Sequence, residues 1–339
     1  MAFDEIISRS DTAALVPDDV LSDVFGSIPS ESAVLTLARR LRDGSTNQMR
    51  LQILATEPEV YFVDGEAPEG GLKQTTRMAW ANKSIVYEEI AAITVLPINV
   101  LDDTGYPIWE QVRPRLVERI GAAIDAAVLF GTNKPASWPG GIVPSAIAAE
   151  NTVVYGTGED IYTDILGEDG VYAQVEEDGF LVTGNVAHPR LRARLRGLRD
   201  GAGGQPIFQR AQPDGQNVQT ATRYELDGAP ITFLRNGSFD TAAALLVSGA
   251  WDQLVYSWRR DATFDIVREG VIQDAEGAIV YNLLQQNLIG LRVAARFGWQ
   301  LPNPPSRMAA TEGGLVGTAG AAVVGRYPFA VLEPAPPAG

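Results

Sequence analysis

The sequence predicts an α+β fold in which one long helix accompanies several extended strands. The helix is indicated over residues 108–130 by an apolar stripe that recurs at the spacing of α-helical turns. Strands are indicated over residues 48–97 and 287–297, where β-branched and aromatic residues accumulate. With 339 residues, of which 45% are hydrophobic and 20% charged, the chain can bury a substantial core.

The N-terminal part, residues 1–47, is predicted to be an extended arm followed by a helix. Ser30 and Ser32 are the candidate N-caps of this helix, and Gly44 is its predicted end. Four apolar residues recur there at helical spacing: Val34, Leu37, Ala38 and Leu41.

Residues 48–96 are predicted to form a two-stranded β-ribbon that reaches about Val95. Its middle, residues 57–71, is rich in Glu, Pro and Gly and is predicted to be a loop. Because a two-stranded ribbon alone is marginal in water, this ribbon needs another surface to lie against.

The long helix over residues 108–130 contains Pro114, which predicts a kink or a short first turn, and it ends at Gly131. Further helices are predicted over about 160–176 and 190–199. The remaining strands are predicted at 180–183, 230–233, 242–247, 254–258, 263–268 and 279–297.

The composition argues against most enzymes. The chain has no cysteine and one histidine, His188, so thiolate metal sites are excluded and a general base is scarce. Asp102 and Asp103 are adjacent carboxylates, and this spacing favours a turn and helix cap over a glycosidase pair. We therefore predict no catalytic, cofactor-binding or metal-binding residue. The acidic segment 1–20 and the lack of an 18-residue apolar run predict no secretory signal and no membrane helix.

The charge pattern points to contacts between copies of the chain. The net charge is −15, and most cations are arginines, whose planar forks suit interface ion pairs. An acidic stretch near residues 168–178 and an arginine-rich stretch at 190–199 could meet between subunits and fix their register. The candidate contact residues are Lys73, Arg77, Trp80, Lys83, Glu168, Asp169, Arg192, Arg196 and Arg199. Lys73 and Lys83 could instead form an isopeptide bond to a neighbour's Asn, although solvated lysines are the favoured interpretation.

The order of these features resembles the tailed-phage major capsid proteins of the Hong Kong 97 type. The resemblance rests on the Gly-rich approach at 66–73, the ribbon, an acidic turn at 100–103, the helix ending in Leu-Phe-Gly, and Pro-Gly-Gly-Ile at 139–142. It continues through His188-Pro189 to the long strand at 287–305 and covers roughly residues 15–305. No single motif is specific, so the order and spacing carry the resemblance.

The resemblance implies a division of the chain into an arm, an extended loop, a peripheral domain with a spine helix, and an axial domain. The C-terminal extension departs from the family core, and its segment 327–332 is expected to dock on a neighbour or decorate the surface. The implied parts are 1–47 (arm and helix), 48–96 (extended loop), 97–142 (peripheral domain), 143–270 (axial domain), 271–307 (return to the peripheral domain) and 308–339 (extension).

The resemblance also implies a function. Copies would assemble into hexamers and pentamers of an icosahedral phage head that encloses double-stranded DNA without sequence-specific binding. A separate scaffolding protein, a portal and a decoration protein are the implied partners, no cofactor is implied, and the virion capsid, assembled in the host cytoplasm, is the implied location. Two alternatives remain: an encapsulin-like nanocompartment shell, and a soluble enzyme that depends on carboxylates.

Overall fold

The computed structural model describes residues 32–56, 58, 60, 62–63, 75–99, 108–158, 160–195, 209–210, 224–274, 276–303 and 326–335. The helices are α1 (Ala33–Leu37), α2 (Ile108–Asp125), α3 (Ile142–Ala148), α4 (Ile161–Leu166), α5 (Val171–Glu177) and α6 (Pro189–Leu195). The strands are β1 (Arg39–Arg40), β2 (Gln48–Thr56), β3 (Ala79–Val86), β4 (Glu88–Pro97), β5 (Thr152–Val154), β6 (Gly184–Ala187), β7 (Gln209–Arg210), β8 (Tyr224–Leu226), β9 (Ala229–Phe233), β10 (Leu246–Gly249), β11 (Val255–Val267), β12 (Val271–Gln273), β13 (Ile279–Asn282), β14 (Leu288–Gln300) and β15 (Phe329–Glu333).

The long helix and a four-stranded sheet form one half of the described structure. The sheet has the order β1-β11-β14-β4, and β11 and β14 are antiparallel strands of 13 residues each. Ile120 and Ile124 of α2 belong to the same buried cluster as Val293 and Phe297 of β14. The apolar stripe that predicted the helix is therefore the face that packs on this sheet.

The predicted helix over 108–130 is confirmed, with a change of geometry at its end. Its α-helical part includes Pro114 and stops at Asp125, and residues Ala126–Phe130 continue as a π-helical turn. Gly131 ends the turn with φ 72°, a left-handed conformation that favours glycine. Gly141 passes so close that an added Cβ would lie 2.5 Å from the backbone nitrogen of Gly131.

A seven-stranded mixed sheet forms the other half, in the order β5-β15-β10-β6-β9-β8-β7. One face of its central strands contributes Val186, Val247 and Val331 to the cluster shared with α2. The other face is covered by α4, α5 and α6 through a second buried cluster that includes Ile165 and Leu195. The sheet is thus buried on both sides, and its central strands are mostly apolar apart from the buried Asn185 and Ser248.

Several predicted elements need correction. The helix predicted to end at Gly44 already ends at Leu37, because the backbone of Arg39 and Leu41 bonds to the edge of β11 instead. Ser32, one of the two candidate caps, accepts a hydrogen bond from the backbone N–H of Leu35. The helix predicted over 160–176 is two helices, and at Gly167, between them, a Cβ would lie 2.4 Å from the carbonyl oxygen of Thr163.

Two strands of the seven-stranded sheet also lie a few residues away from their predicted positions. The strand predicted at 180–183 lies at Gly184–Ala187, and that predicted at 242–247 lies at Leu246–Gly249. In both cases an apolar run beside the true strand attracted the prediction. The two strands predicted within 254–268 are one strand, β11, and the single strand predicted over 279–297 is divided into β13 and β14. The strand predicted at 230–233 is confirmed as β9. Helix α6 is described to Leu195, and the rest of the predicted 190–199 helix lies outside the described residues.

The two-stranded ribbon exists but is shorter than predicted. Strands β2 and β3 pair antiparallel from Gln48–Val86 at the base to Thr56–Ala79 at the far end. The prediction that the ribbon reaches Val95 was wrong, because β4 begins at Glu88 and pairs along its whole length with β14. Strand β4 therefore belongs to the four-stranded sheet as its edge strand, and the ribbon stops at the Tyr87 junction.

Candidate assembly surfaces

The base of the ribbon is fixed to the chain's own body. The ammonium Nζ of Lys83 donates a hydrogen bond to the carbonyl oxygen of Leu301 at 2.9 Å. Gln300 Nε2 donates to the carbonyl oxygen of Ser84 at 3.0 Å. Partial burial lowers the pKa of Lys83 below its ordinary value. In the subunit, Lys83 is therefore an anchor of the ribbon base, and its predicted role between subunits stays a prediction.

The ribbon base also has a small apolar core of its own. Ile85, Tyr87 and Val255 are buried together, and Met49 and Leu51 pack against them. The hydroxyl of Tyr87 donates to Ser257 Oγ at 2.9 Å, buried inside the subunit. This packing makes the base rigid and sets the direction in which the rest of the ribbon leaves the body.

The outer part of the ribbon presents apolar surface to solvent. The Trp80 side chain is 66% exposed, and Met78 and Arg77 are exposed beside it. Lys73, the other candidate on this segment, lies outside the described residues. A largely exposed tryptophan on a two-stranded ribbon is typical of a surface that a partner covers.

A buried carboxylate ties the N-terminal helix α1 to α2, the long helix that the resemblance implies is the spine helix. Asp125 Oδ1 accepts hydrogen bonds from Ser32 Oγ (2.6 Å) and the Val34 N–H (3.1 Å), while Oδ2 accepts from the Ala33 N–H (3.3 Å) and Asn236 Nδ2 (2.9 Å). Burial raises the pKa of Asp125, and these four donors oppose the rise by favouring the charged form. One side chain thus joins the arm, the spine helix and the segment after β9. Asp125 was not among the candidate residues predicted from the sequence.

The predicted acidic and arginine-rich surfaces are both partly described. Glu168 and Asp169 are exposed at the corner between α4 and α5, and neither forms a salt bridge with another described residue. Arg192 lies half-buried on α6, and Arg194 stacks over the Tyr155 ring at 4.1 Å. Arg196 and Arg199 lie outside the described residues. The structure therefore leaves the acidic corner available to another molecule.

The C-terminal strand is part of the chain's own sheet. β15 lies between β5 and β10, and Phe329, Ala330, Val331 and Leu332 are fully buried. Asp178 Oδ2 accepts from the Tyr327 N–H at 2.8 Å and from Asn151 Nδ2 at 2.7 Å. The expectation that 327–332 docks on a neighbour or decorates the surface was wrong, since its backbone and apolar side chains complete the sheet. The run of five apolar residues from Pro328 to Leu332 was the signal of a buried strand.

A second two-stranded hairpin, β12–β13, lies in the connection between β11 and β14, at the end of the four-stranded sheet opposite β1. Ile279 is 61% exposed, and Val271, Val280 and Tyr281 are also exposed. This hairpin was not predicted from the sequence, because residues 279–297 were predicted as a single strand.

The described residues contain no group of His, Asp and Glu arranged to hold a metal ion. His188 Nδ1 accepts a hydrogen bond from the Arg190 N–H at 3.1 Å, which is a helix-entry contact of α6. Its pKa is lowered by burial and by the neighbouring Arg190. Among the residues placed by the structure, no helix is both long and apolar enough to cross a membrane.

Comparison with known proteins decides what these surfaces belong to. The model of the phage capsid family matches residues 12–306, which is most of the chain. The chain belongs to the phage capsid family. No curated protein matches it.

Solved structures agree with this assignment. A chain from Microbacterium phage Oxtober96 is 32% identical, with a TM-score of 0.77 and coverage of 97% of this chain and 100% of that chain. A chain from Mycobacterium phage Cain is 26% identical, with a TM-score of 0.77 and coverage of 98% and 100%. A chain from the capsid of a native GTA particle shares the fold at 16% identity, with a TM-score of 0.63 and coverage of 98% and 99%.

The expected Hong Kong 97-like fold is therefore confirmed, and so is the expected function at this level. The protein is a major capsid protein of the tailed-phage type that forms an icosahedral shell of identical copies in the virion. The family is structural. The exposed ribbon, hairpin and acidic corner are accordingly surfaces of a subunit that assembles with copies of itself.

Proposed function

We propose that this capsid protein closes into hexamers and pentamers, which join into a phage head that encloses double-stranded DNA. The observation that carries the proposal is the ribbon: its base is fixed by Lys83 and Tyr87, while Trp80 farther out is left exposed. A subunit that directs an apolar ribbon away from its own body buries that surface on a neighbour.

We propose the parts that the resemblance implied as the units of assembly. The arm, the extended loop and the spine-helix part are 1–47, 48–96 and 97–142, with β4 at the end of the loop part paired into the four-stranded sheet. The axial part, the returning strand and the extension are 143–270, 271–307 and 308–339. The tight hydrogen bonds of Asp125 support a fixed joint between the arm and the spine helix.

The contacts between subunits are proposed at two places. On the ribbon they involve Lys73, Arg77, Trp80 and Lys83. On the axial part they pair Glu168 and Asp169 of one copy with the arginines of another copy's α6 region, Arg192, Arg196 and Arg199. Opposite charges on a rim steer association and fix register more than they add affinity.

The net charge of −15 supports a container that does not grip its cargo, because a strongly acidic chain repels phosphates overall. DNA would therefore be enclosed without sequence-specific binding. A separate scaffolding protein, a portal and a decoration protein complete the proposed partners, and assembly takes place in the host cytoplasm. Catalysis has no part in this function.

Electron microscopy of particles made by the full chain tests the proposal. We expect icosahedral shells whose five- and six-membered rings are visible, and nuclease-protected double-stranded DNA in particles from an infection. Shells that hold a co-purified cargo protein in place of DNA would favour a nanocompartment. A monomer that never forms particles under any assembly condition would overturn the proposal.

A further inference from the structure

The hairpin β12–β13 combines apolar surface with negative charge. Ile279, Tyr281 and the neighbouring Leu284 expose 61%, 44% and 72% of their side chains. The segment 269–291 contains no lysine or arginine, but it contains three acids: Glu269, Asp274 and Glu276. Two strands cannot bury both of their own faces, so this hairpin is incomplete as an isolated element.

The turn of the hairpin is well built despite its exposure. Asp274 Oδ1 accepts hydrogen bonds from the Ala278 N–H at 2.7 Å and the Glu276 N–H at 3.2 Å, and Gly277 has φ 85°. These bonds fix the backbone of the turn and do not involve the Glu276 carboxylate. A defined turn with exposed apolar flanks favours docking as a preformed unit.

A groove of about 280 Å³ lies at the opposite end of the same sheet, between the ribbon and the body. Its apolar lining includes Ile53, Leu54, Val255 and Pro302, and Arg39 and Asp252 are its charged lining residues. Three further exposed arginines lie within three residues of the lining in the sequence: Arg40 and Arg42 follow Arg39, and Arg50 precedes Gln52. Arg40 pairs with Asp43 and Asp261, whereas Arg39, Arg42 and Arg50 form no salt bridge with another described residue.

The hairpin and the groove cannot meet within one subunit. Val255 at the groove begins β11, and Val267 at the hairpin ends it. A 13-residue strand separates its ends by roughly 40 Å at about 3.3 Å per residue. Two complementary surfaces at opposite ends of a rigid sheet are what a head-to-tail contact between copies requires.

We propose that the β12–β13 hairpin of one copy docks into the groove beside Arg39 of a second copy. This inference rests on the proposed shell function and adds a contact to it, apart from the ribbon and the axial surfaces. The apolar flanks of the hairpin cover Leu54 and Pro302, the half-buried apolar residues of the groove lining, while the Glu276 carboxylate faces Arg39. Like charges at this contact would oppose association, and opposite charges fix its register.

The absence of cysteine from the chain allows a direct test. The full chain carrying Ala278→Cys in the hairpin and Gln52→Cys beside the groove is assembled and then oxidised. A disulfide needs Cα atoms within about 7 Å, so only a true contact gives a ladder of covalent oligomers on a non-reducing gel. The matched control pairs Ala278→Cys with Ala193→Cys, an exposed position on α6.

We expect a ladder from the first pair and only the monomer band from the control. Particles that assemble but give no ladder, or the same ladder from both pairs, would overturn the inference while leaving the shell function intact. If the unchanged chain forms no shell, the proposed function itself fails.

A charge exchange provides a second measurement that does not depend on disulfides. We expect Glu276→Arg or Arg39→Glu alone to lower particle yield about tenfold, because each places like charges together. Both changes in one chain should recover the yield to within about twofold of the unchanged chain. Recovery no better than the poorer single variant would count against the pairing, and circular dichroism of the subunits checks that all three fold.

Discussion

The hydroxyl of Ser32 donates a 2.6 Å hydrogen bond to Oδ1 of Asp125, across 93 positions of sequence. This bond joins the N-cap of α1 to the point where the spine helix changes from α- to π-helical geometry. Because Asn236 donates to the other oxygen of the same carboxylate, the arm and the segment after β9 share one acceptor. The position of the arm is therefore coupled to the end of the spine helix. π-helical turns such as the one found there often mark functional sites.

Removing this acceptor should destabilise the subunit. Asp125→Ala leaves four buried donors without a partner, and we expect a loss of about 3 kcal/mol in the free energy of unfolding. Denaturant unfolding of dissociated subunits measures it. Asp160→Ala is the control, since its exposed carboxylate caps α4 and its loss should cost about 1 kcal/mol. Equal losses in the two variants would contradict the importance of burial.

The same residue should make stability depend on pH. Burial raises the folded-state pKa of Asp125 above its unfolded value of about 4, so the folded state binds the proton more tightly. Stability from this group is present below that unfolded value and is lost as pH rises through the folded-state pKa. As pH increases, the free energy of unfolding of the unchanged chain should fall relative to that of Asp125→Asn. Parallel curves would show that Asp125 does not titrate there.

The C-terminal strand should depend on Asp178. Asp178→Ala removes the acceptor for the Tyr327 N–H and for Asn151 Nδ2, which together hold the start of β15. We expect faster amide exchange over 329–333, measured by mass spectrometry, because the strand opens more often. Glu177→Ala alters the exposed neighbouring carboxylate and should leave this exchange unchanged. Slow exchange in both variants would mean that burial of Phe329 alone secures the strand.

Sequence patterns found the elements that are stabilised locally. The stripe of α2 repeats every helical turn, so it was visible without knowing its partner. Strand β15 was misjudged because its partners, β5 and β10, lie far away in the chain. The predicted position of strand β6 was wrong because Gly184 and Asn185 have low β-propensity. Asn185 is tolerated there since Tyr172 and Ser248 satisfy its side chain, a contact that only the folded sheet creates.

Among the candidate assembly residues, too, some could be predicted from the sequence and others could not. Trp80 could be selected from sequence because an aromatic residue in a ribbon has little core to enter. Asp125 could not, because a single acid among apolar residues resembles the solvent-facing positions of an ordinary amphipathic helix. Its burial depends on Ser32 and Asn236, which come from distant segments.

Besides its proposed contact between subunits, Lys83 should stabilise the subunit itself. Lys83→Met keeps the length of the side chain but removes the donor to the Leu301 carbonyl, and we expect a loss of about 1 kcal/mol in subunit stability. Boiled particles of the unchanged chain should give a single band at monomer mass on a denaturing gel. A ladder that Lys83→Met abolishes and Lys134→Met retains would establish the isopeptide bond instead.

Trp80 should matter for assembly and not for folding. Because 66% of its side chain is exposed in the subunit, Trp80→Ser should change the free energy of unfolding by less than about 0.5 kcal/mol. In the shell, the same change removes a large apolar contact. Aromatic contacts of this kind often contribute about 2 kcal/mol or more to the free energy of an interface, and we expect the same order here. We therefore expect particle yield, measured by sedimentation, to fall at least roughly tenfold. Trp80→Phe keeps most of the apolar surface and should assemble nearly normally. Normal yield from Trp80→Ser would show that the ribbon reaches its neighbour through other residues.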